Sequence, residues 1–334
     1  MKSVFVIAEI GQAHEGSLGI LHSYIDAVSN TGVDAIKFQT HIAEAESSIY
    51  EPFRIKFSTQ DETRFDYWKR MEFSESQWRE IKNHCEERGL EFISSPFSIQ
   101  AVELLESIGM KRYKIASGEV GNFLMLDKIA RTKKPIIISS GMSSFSELEQ
   151  TIEFLKPYGN ELSILQCTTS YPVAPEKLGL NVLKELTEKF DLPVGLSDHS
   201  GTIYPSLAAV TLGASYIEVH ATFHKEIFGP DTKSSLTLDQ LTQAVEGIRF
   251  IERSLNNPVN KNNNNEYSEL KKIFGKSLAV RTSLKMGHKI TIEDLESKKP
   301  AEFGIPASDY TKVIGKKVIK DINKFSFLNY EDLE

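Results

Sequence analysis

Eight short apolar segments alternate with longer amphipathic segments through the first 255 residues of the chain. Each apolar segment is rich in β-branched residues and is followed by a stretch of helical period, and the last such stretch, 237–255, follows the eighth segment. Eight strand–helix units over about 250 residues are typical of a (β/α)₈ barrel, also called a TIM barrel. A doubly wound open sheet is the alternative, but the EIGQAHEG after the first strand lacks the glycine fingerprint usual there. The predicted strands cover residues 4–10, 35–40, 91–97, 112–117, 135–140, 162–168, 193–198 and 216–222.

Three features fall outside this repeat. A long aromatic and charged segment, residues 41–72, follows the second predicted strand, and loops of this length in compact domains are usually functional or disordered. An asparagine-rich polar stretch follows the last helix and is typical of a linker. The remainder contains a weak internal repeat, since Ser283–Glu296 aligns without gaps with Asp321–Glu334. We therefore predict a barrel over 1–255, a linker over 256–269 and a small β-rich domain over 270–334.

Composition excludes several classes of protein. The chain has 334 residues, 40% hydrophobic and 25% charged, and its formal net charge of −7 argues against non-specific binding of nucleic acid. The two cysteines, Cys85 and Cys167, lack metal-ligand spacing and are too few for a disulfide scaffold, which favours a reduced compartment. The first apolar run is too short, and is followed too soon by Glu9, for a signal peptide, and no run approaches transmembrane length. We expect a cytoplasmic protein with neither nucleic acid nor membrane as a partner.

Polar side chains end every predicted strand. In a TIM barrel the catalytic groups come from the carboxyl ends of the strands, which open onto the face built by the loops that follow them. One polar residue there is usually a solvated rim residue, but a contribution from all eight strands predicts a polar pocket. These residues are Glu9, Lys37, Gln39, Ser94, Ser95, Lys114, Ser117, Ser139, Ser140, Thr168, Thr169, Asp198, His199, Glu218 and His220.

Two histidines end neighbouring strands. His199 follows the seventh strand and His220 the eighth, so we expect their imidazoles to be close at the barrel mouth, with Asp198 and Glu218 as orienting carboxylates. Such a pair suits a divalent metal with open coordination positions, and a hydrogen-bonded pair of structural histidines is the alternative. The other six histidines show no such pairing in the sequence. Most are expected on the surface or in loops, although His14 and His41 follow the first two strands and are candidates for the rim.

Lysines and hydroxyls at the strand ends predict a site for a small anion. Lys37 and Lys114 supply the charge, and no P-loop or pattern of interleaved aromatic and basic residues points to a nucleotide or nucleic acid. The pocket is therefore suited to a phosphorylated or carboxylated metabolite beside a metal. The hydroxyl groups belong to Ser95, Ser117, Ser139, Thr169 and Ser197.

Nine motifs carry a resemblance to a known family. AEIGQAHEGSL, IKFQTH, FISSPFS, YKIASGE, IISSGM, QCTTSYP, VGLSDHS, EVH and FGPD occur in the order found in bacterial sialic acid synthases. That family includes N-acetylneuraminate synthases, which condense phosphoenolpyruvate with N-acetylmannosamine, and legionaminic and pseudaminic acid synthases, which use diacetamido sugars. The C-terminal FGIPASDYTKVIGKK is similar to the antifreeze-like (SAF, β-clip) domain that closes such chains. The resemblance covers nearly the whole sequence.

The resemblance implies roles for particular residues. His199 and His220 would bind a divalent ion, Mn²⁺ in the first place, with Mg²⁺ or Co²⁺ as alternatives. The metal would polarise the sugar aldehyde for attack by C3 of phosphoenolpyruvate, and phosphate would leave by C–O cleavage after water adds at C2. Either Glu9 or Glu119 would manage the protons, and His220 belongs with them among the residues expected in catalysis. Phosphoenolpyruvate would be held by Lys37, Ser95, Lys114, Ser117, Ser139, Thr169 and Ser197, and the open-chain sugar by Glu9, Gln39, Glu119, Tyr171 and Asp231.

The resemblance also implies a domain-swapped homodimer. In the family an arginine of the small domain reaches into the partner's barrel to hold the sugar, and the matching position here is Lys299, which keeps the charge without the bidentate fork. Two further departures, Ala13 for asparagine and Ala221 for phenylalanine, lie near the sugar end. These changes bear on which sugar is used more than on the type of reaction.

Two other functions fit parts of the sequence. A Schiff-base aldolase would use Lys114 or Lys37 as its nucleophile, which requires a desolvated lysine of lowered pKa. A non-enzymatic binding or ice-interacting protein would use the C-terminal domain with the barrel as scaffold. The basic SKKPAEF and KKVIK argue against a flat, threonine-rich ice-binding surface.

Overall fold

The computed structural model describes residues 3–55, 57–263 and 265–334. The chain divides into two compact units, Met1–Pro258 and Val259–Glu334. In the first unit eight parallel strands follow one another in sequence order, and β1 pairs with both β2 and β8. This closure confirms the (β/α)₈ barrel and excludes an open doubly wound sheet.

The strands lie close to their predicted positions. They are β1 (Phe5–Glu9), β2 (Ala35–Thr40), β3 (Glu91–Pro96), β4 (Tyr113–Ile115), β5 (Ile136–Ser139), β6 (Leu162–Cys167), β7 (Val194–Asp198) and β8 (Tyr216–Thr222). A short β9 (Leu236–Thr237) pairs with the end of β8. The helices of this unit are α1 (Leu18–Ser29), α2 (Ala43–Glu46), α3 (Arg64–Met71), α4 (Glu75–Glu87), α5 (Ile99–Ser107), α6 (Phe123–Ala130), α7 (Phe145–Leu155), α8 (Leu180–Phe190), α9 (Tyr204–Thr211) and α10 (Leu238–Asn256).

Several helices begin where the local sequence supplies a cap. The side chains of Ser74, Ser144 and Thr237 each accept a hydrogen bond from the backbone N–H three residues later. The Gln or Glu at that later position accepts, through its side-chain oxygen, a hydrogen bond from the backbone N–H of the capping residue. Each reciprocal pair satisfies two backbone donors that the first helical turn leaves free. The starts of α4, α7 and α10 are therefore encoded locally.

The alternation of side chains along the strands builds the barrel interior. Five inward apolar residues, contributed by β1, β2, β3, β5 and β6, pack as a separate buried cluster. Two residues further along each of these strands, on the same inner face, the side chain is polar. An apolar layer therefore closes the barrel beneath a polar layer at its carboxyl end. The apolar residues are Ile7, Ala35, Ile93, Ile137 and Leu165, and the polar ones are Glu9, Lys37, Ser95, Ser139 and Cys167.

The segment 41–72 is folded, with α2 and α3 in it. Tyr67, Trp68 and Met71 of α3 are buried in a small core of their own with Ala43. Three phenylalanines of the segment, at 53, 57 and 65, pack against that core. The aromatic residues that made this segment unusual therefore give it a hydrophobic core.

The second unit confirms the internal repeat. Strand β10 (Ser277–Val280) pairs antiparallel with β11 (Leu295–Lys298), and helices α11 (Ser268–Phe274) and α12 (Tyr310–Val313) lie in the same unit. Leu284 and Ile322, equivalent in the two repeats, face each other in a β-bridge and are both buried. Capping boxes end both halves at equivalent positions, in turns that begin after Thr291 and Asn329. A small core lies between the two halves.

None of the helices within the described ranges combines the length and apolar character required to cross a membrane. Cys85 and Cys167 are both free thiols and both buried.

A candidate active site at the carboxyl ends of the barrel strands

A cavity opens at the carboxyl ends of the strands, and we call it the inner cavity. All eight strands, or the loops that follow them, contribute side chains to its wall, as the strand-end pattern predicts. Most of the residues singled out from the sequence are therefore neighbours, although their roles stay predictions. The wall consists of Glu9, Lys37, Gln39, Ser95, Lys114, Ala116, Ser117, Ser139, Cys167, Tyr171, Ser197, His199, Glu218 and His220.

Two lysines and two glutamates lie side by side in the inner cavity. The Nζ of Lys37 is 2.8 Å from Oε2 of Glu9 and 3.8 Å from Oε1 of Glu218. The Nζ of Lys114 is 3.4 Å from the same Glu218 oxygen and 2.5 Å from the Ser139 hydroxyl. All four charged residues are almost completely buried. Their charges cancel when all are ionised, which limits the cost of removing them from water.

The pKa values of the two lysines are shifted in opposite directions. Burial lowers the pKa of Lys114, and the positive charge of Lys37 lowers it further, against the attraction of Glu218. Burial also opposes the charge on Lys37, but Glu218 and Glu9 outweigh it and raise the pKa of Lys37. The pKa of Glu218 is lowered because both lysines outweigh its burial. Lys114 is therefore the amine that loses its proton more easily as pH rises.

His199 and His220 lie together, as predicted, with ring centroids 5.1 Å apart. The Nδ1 of His199 lies 3.0 Å from the carbonyl oxygen of Thr168, to which it donates a hydrogen bond. Burial and then the neighbouring His220 lower the pKa of His199 to about 3, so this ring is neutral at physiological pH. Its Nε2 then keeps a free lone pair, which is the state that a metal ligand requires.

The orienting carboxylates proposed from the sequence have other partners. Asp198 accepts hydrogen bonds from the backbone N–H and the hydroxyl of Ser200, at 3.0 and 2.7 Å. Glu218 accepts one from the Ser197 hydroxyl at 3.0 Å, besides its contacts with the lysines. The expectation that Asp198 and Glu218 orient the ring is wrong for His199, because a backbone carbonyl does so.

A second, larger cavity adjoins the first, and we call it the outer cavity. Gln39 and Tyr171 line both cavities. The ring of Tyr171 stacks on His199 with centroids 4.1 Å apart, and the Arg54 guanidinium lies 4.1 Å from the Tyr171 centroid. A terminal nitrogen of Arg54 is 3.3 Å from the carboxylate of Asp231, which lines the outer cavity. The outer cavity is therefore lined by Gln39, Tyr171 and Asp231, three of the residues that the resemblance assigns to the sugar, and those roles stay predictions.

His41 is buried rather than placed at a rim. Its ring stacks on Trp68 and on Phe97, with centroids 4.0 and 4.5 Å away. The Nδ1 of His41 is 2.5 Å from a carboxylate oxygen of Glu46, and its Nε2 is 2.7 Å from the amide nitrogen of Gln12. A proton on Nδ1, shared with Glu46, leaves Nε2 to accept from the Gln12 amide.

This arrangement continues into the inner cavity through two amides. The amide nitrogen of Gln12 also donates to the side-chain oxygen of Gln39 at 3.0 Å. The Gln39 amide nitrogen in turn donates to Oε1 of Glu9 at 2.7 Å. His41 thus fixes which end of each amide faces the next group, and through them it positions Glu9.

The remaining histidines only partly follow expectation. His14 is buried, and its burial followed by the influence of His41 lowers its pKa to about 3. His22 and His84 form a pair that the sequence did not suggest, with their Nδ1 atoms 2.8 Å apart between α1 and α4. The spacing of 62 residues and the lack of strand-end context concealed this pair.

Three residues that the resemblance assigns to the site line neither the inner nor the outer cavity. Thr169 is close to Ser117, since a Cβ on Gly141 would fall 2.5 Å from the Thr169 hydroxyl and 2.3 Å from that of Ser117. Glu119 accepts a hydrogen bond from Asn122, and burial, followed by the charge of Glu46, raises its pKa. Lys299 belongs to the second unit, where its Nζ lies 4.9 Å from the centroid of the Phe274 ring.

Sequence reasoning missed several residues of the two cavities, among them Cys167, Gln12 and Arg54. Cys167 lines the inner cavity, and its place two residues after the inward Leu165 was a usable signal. Gln12 lies in the first motif but carries no charge to mark it. Arg54 lies in the segment 41–72, whose lack of period gives no hint that it contacts Tyr171.

The sequence was compared with models of protein families and with known proteins. Residues 24–260 match the model of the NeuB family, and residues 275–334 match that of the SAF domain. The chain is 34% identical over 327 residues to the N,N'-diacetyllegionaminic acid synthase of Campylobacter jejuni, covering 96% of this chain and 97% of the relative. It is also 34% identical to the human N-acetylneuraminate-9-phosphate synthase, covering 96% of this chain and 90% of the relative.

A solved structure supports the same assignment. The N-acetylneuraminic acid (sialic acid) synthetase of Leptospira borgpetersenii, in complex with citrate, superposes with a TM-score of 0.71 at 29% identity. The match covers 81% of this chain and 91% of the solved one. Since the family match spans most of the barrel and the relatives align over nearly the full length, the chain belongs to the NeuB family, with a C-terminal SAF domain.

Proposed function

We propose that this chain is a nonulosonic acid synthase, which condenses phosphoenolpyruvate with an open-chain N-acylated sugar and releases phosphate. The observation that carries the proposal is one cavity in which Lys37 and Lys114 lie beside His199 and His220 and which adjoins a larger second cavity. The family assignment and the named relatives support the same reaction.

Phosphoenolpyruvate is assigned to the inner cavity. Its phosphate and carboxylate need cations and hydroxyl donors, which Lys37, Lys114 and the serines of the wall supply. Ser95 adds support, because its buried hydroxyl has no hydrogen-bond partner among the described residues. A buried hydroxyl without a partner is costly, and an anionic ligand would satisfy it.

His199 and His220 are assigned to a divalent cation, Mn²⁺ in preference to Mg²⁺ or Co²⁺. Neutral imidazole suits such ions, and the Thr168 carbonyl fixes the tautomer of His199 that leaves Nε2 available. Two imidazoles would leave coordination positions for substrate and water. The described residues contain no group of three or more His, Cys, Asp or Glu that could hold a metal. When bound, the ion supplies Lewis-acid polarisation of the sugar aldehyde.

The side chains of this chain would orient the two substrates and move the protons that the reaction requires. C3 of phosphoenolpyruvate forms a bond to the aldehyde carbon, water adds at C2, and the C2–O bond to phosphate breaks. The water that adds at C2 gives up a proton and the oxygen of the former aldehyde takes one up, and we assign this relay to the Glu9 carboxylate, which lines the inner cavity, rather than to Glu119, which does not. Lys37, 2.8 Å from Glu9, would hold that carboxylate in place.

The test is release of phosphate from phosphoenolpyruvate by the purified full chain, with and without Mn²⁺. The sugars are N-acetylmannosamine, its 6-phosphate and the 2,4-diacetamido-2,4,6-trideoxy derivatives of mannose and altrose. We expect release that depends on one of these sugars and on the metal. Absence of release with every sugar would refute the proposed function.

One observation favours a second function. Lys114 is buried and has a lowered pKa, the state that a Schiff-base lysine requires. A covalent aldolase would be inactivated by borohydride in the presence of substrate and would gain the mass of the reduced adduct on Lys114. The proposed synthase would show no such adduct.

We also propose that residues 270–334, joined to the barrel by the linker 256–269, cover the barrel mouth of a second chain in a homodimer. Lys299 is then the residue that reaches the sugar. The proposal follows from the SAF match over 275–334 and from a reaction whose enol phosphate substrate needs cover from bulk water.

A further inference from the structure

The segment 41–72 lies outside the strand–helix repeat, yet it brings a guanidinium to two loops at the barrel mouth. Arg54 contacts Tyr171, which follows β6, and Asp231, which follows β8. We propose that Arg54 is a positioning residue of the condensation, which holds the Tyr171 ring on His199 and sets the orientation of the Asp231 carboxylate. This inference rests on the proposed function and adds a residue to the same site.

The backbone on both sides of Arg54 is anchored to the small core of its own segment. Glu51 accepts a hydrogen bond from Nε1 of Trp68 at 3.0 Å. Phe53 and Phe57 pack against the buried residues of that core, and their rings meet edge to face with centroids 5.9 Å apart. Arg54 therefore extends into the outer cavity from a fixed base.

The Tyr171 ring lies between the guanidinium and a predicted metal ligand. The central carbon of the Arg54 guanidinium and the ring centroid of His199 are each 4.1 Å from the Tyr171 centroid. Two planar groups so close to one ring centre would overlap on the same face, so they occupy opposite faces. Tyr171 also meets His220 edge-on, with centroids 6.1 Å apart.

These ring contacts are what orient the Tyr171 side chain. Its hydroxyl makes no hydrogen bond to any other residue that the structure describes, so no polar contact fixes the ring. A cation over the face of a tyrosine ring is attracted to it. Arg54 therefore stabilises the orientation in which Tyr171 covers His199 and contacts His220.

Asp231 depends on the same guanidinium for the orientation of its carboxylate. Its backbone is fixed, because its carbonyl oxygen accepts hydrogen bonds from the hydroxyl of Ser235 at 2.8 Å and from the N–H of Ser234 at 2.9 Å. A terminal nitrogen of Arg54 donates to Oδ1 of Asp231 at 3.3 Å. Oδ2 accepts no hydrogen bond within the described ranges, so it stays available to a hydroxyl of the sugar.

Both contacts of Arg54 contribute little to folding. The side chain of Arg54 is 42% exposed, and an ion pair or a cation–π contact at that exposure is weak. The melting temperature of Arg54→Met should therefore stay close to that of the native chain. What the two contacts determine is the placement of two groups that the resemblance assigns to the sugar.

The first measurement uses the ligand-free full chain. The ring current of Tyr171 shifts the NMR signals of the imidazole that it covers, and with ¹³C-labelled histidine the His199 signal is identified by its loss in His199→Ala. Arg54→Met should move or broaden this signal, and Arg54→Lys, which keeps the cation, should alter it less. Arg131→Met, which removes a guanidinium paired with Asp127 at the end of α6, should not change it. An unmoved His199 signal in Arg54→Met would overturn the proposal.

The second measurement is kinetic and uses the sugars named for the proposed function. Each of the two contacts is worth about two- to fivefold, so Arg54→Met should lower kcat/KM for the sugar about three- to twenty-five-fold, with a raised KM. Calorimetric affinity for phosphoenolpyruvate without sugar should stay within twofold, because Lys37 and Lys114 lie in the inner cavity. Arg54→Lys should recover part of the loss, and Arg131→Met should show none.

The outcomes separate this inference from the function on which it rests. An unchanged KM for the sugar in Arg54→Met, or an equal loss of affinity for both substrates, would overturn the role of Arg54 alone. A native chain that releases phosphate with none of the sugars would refute the proposed function, and the role of Arg54 in that reaction with it.

Discussion

Replacing Lys114 with methionine, which has a similar volume and no charge, tests the assignment of the anion to the inner cavity. A charge-assisted contact to phosphate or carboxylate contributes roughly 1.5–3 kcal/mol, equivalent to about a 10- to 150-fold weaker affinity. The upper part of that range is expected, because Lys114→Met leaves Glu9 and Glu218 with only Lys37 between them. The inner cavity then carries a net negative charge that repels the anion.

The assay is calorimetric titration of phosphoenolpyruvate into the full chain without sugar, together with KM for each substrate. Lys128→Met is the control, since Lys128 pairs with Glu103 on the outer helices and should change affinity less than twofold. Removing one partner of a buried ion pair is itself destabilising by about 3–5 kcal/mol, so the melting temperature is measured in parallel. The double variant Lys114→Met/Glu218→Gln should recover much of that stability without recovering full affinity.

The pH dependence of the same binding gives a second measurement. The cationic form of Lys114 attracts the anion, and its pKa is lowered by burial, so affinity should fall as pH rises at a lower pH than for an ordinary lysine. Lys114→Met should lack this fall. A normally folded Lys114→Met that binds phosphoenolpyruvate within threefold of the native chain, or that raises KM equally for both substrates, would refute the placement of the anion.

Three further predictions concern the histidines and the small domain. His199→Ala and His220→Ala should each abolish condensation with little change in melting temperature, because each removes a metal ligand worth several kcal/mol to the reaction; near-native activity in chelator-treated buffer would contradict this. His41→Gln should lower kcat about tenfold while KM for phosphoenolpyruvate stays within twofold, since His41 positions Glu9 through two amides; an equal change in both constants would indicate a general structural defect. Co-expressed Lys299→Ala and His199→Ala chains should regain part of the activity that each lacks, and verified heterodimers without activity would place Lys299 outside the partner's site.

Much of the inner cavity could be predicted because two regular patterns coincide in it. Side chains alternate along a strand, so the inward residue two positions after Ile7 had to be Glu9, and the same count from Ile137 gives Ser139. Barrel topology then brings all the strand ends to one face. The neighbours His199 and His220 follow from the order of β7 and β8 alone.

The pairing of charges could not be predicted, because it depends on the stagger between strands. Ile7 pairs in register with Glu218, whereas Glu9 pairs with His220. The sequence alone does not give the register between neighbouring strands, so Glu218 was expected beside the histidines, with a role in orienting them. The stagger instead brings its Oε1 within 3.4 Å of Lys114 and 3.8 Å of Lys37.

Arg54 and Tyr67 lie beyond prediction for a different reason. They belong to the segment 41–72, whose fold depends on a local aromatic core rather than on a period of two or 3.6. Nothing in the sequence indicates that Arg54 reaches Tyr171, or that the Tyr67 hydroxyl lacks an acceptor. The residues that the segment 41–72 contributes to the outer cavity are thus those that the repeat does not encode.

The balance of charges in the inner cavity bears on how phosphoenolpyruvate and the metal bind. Lys37 and Lys114 are neutralised by Glu9 and Glu218, so the ligand-free cavity has no excess positive charge to hold a multiply charged anion. Binding phosphoenolpyruvate without a further cation would leave a net negative charge in a buried site, which is costly at low dielectric. A divalent ion at the imidazoles would offset that charge, so phosphoenolpyruvate and the metal should each increase the other's affinity by the same factor. A titration in which Mn²⁺ leaves the affinity for phosphoenolpyruvate unchanged would therefore place the metal too far from the anion to act on the same reaction.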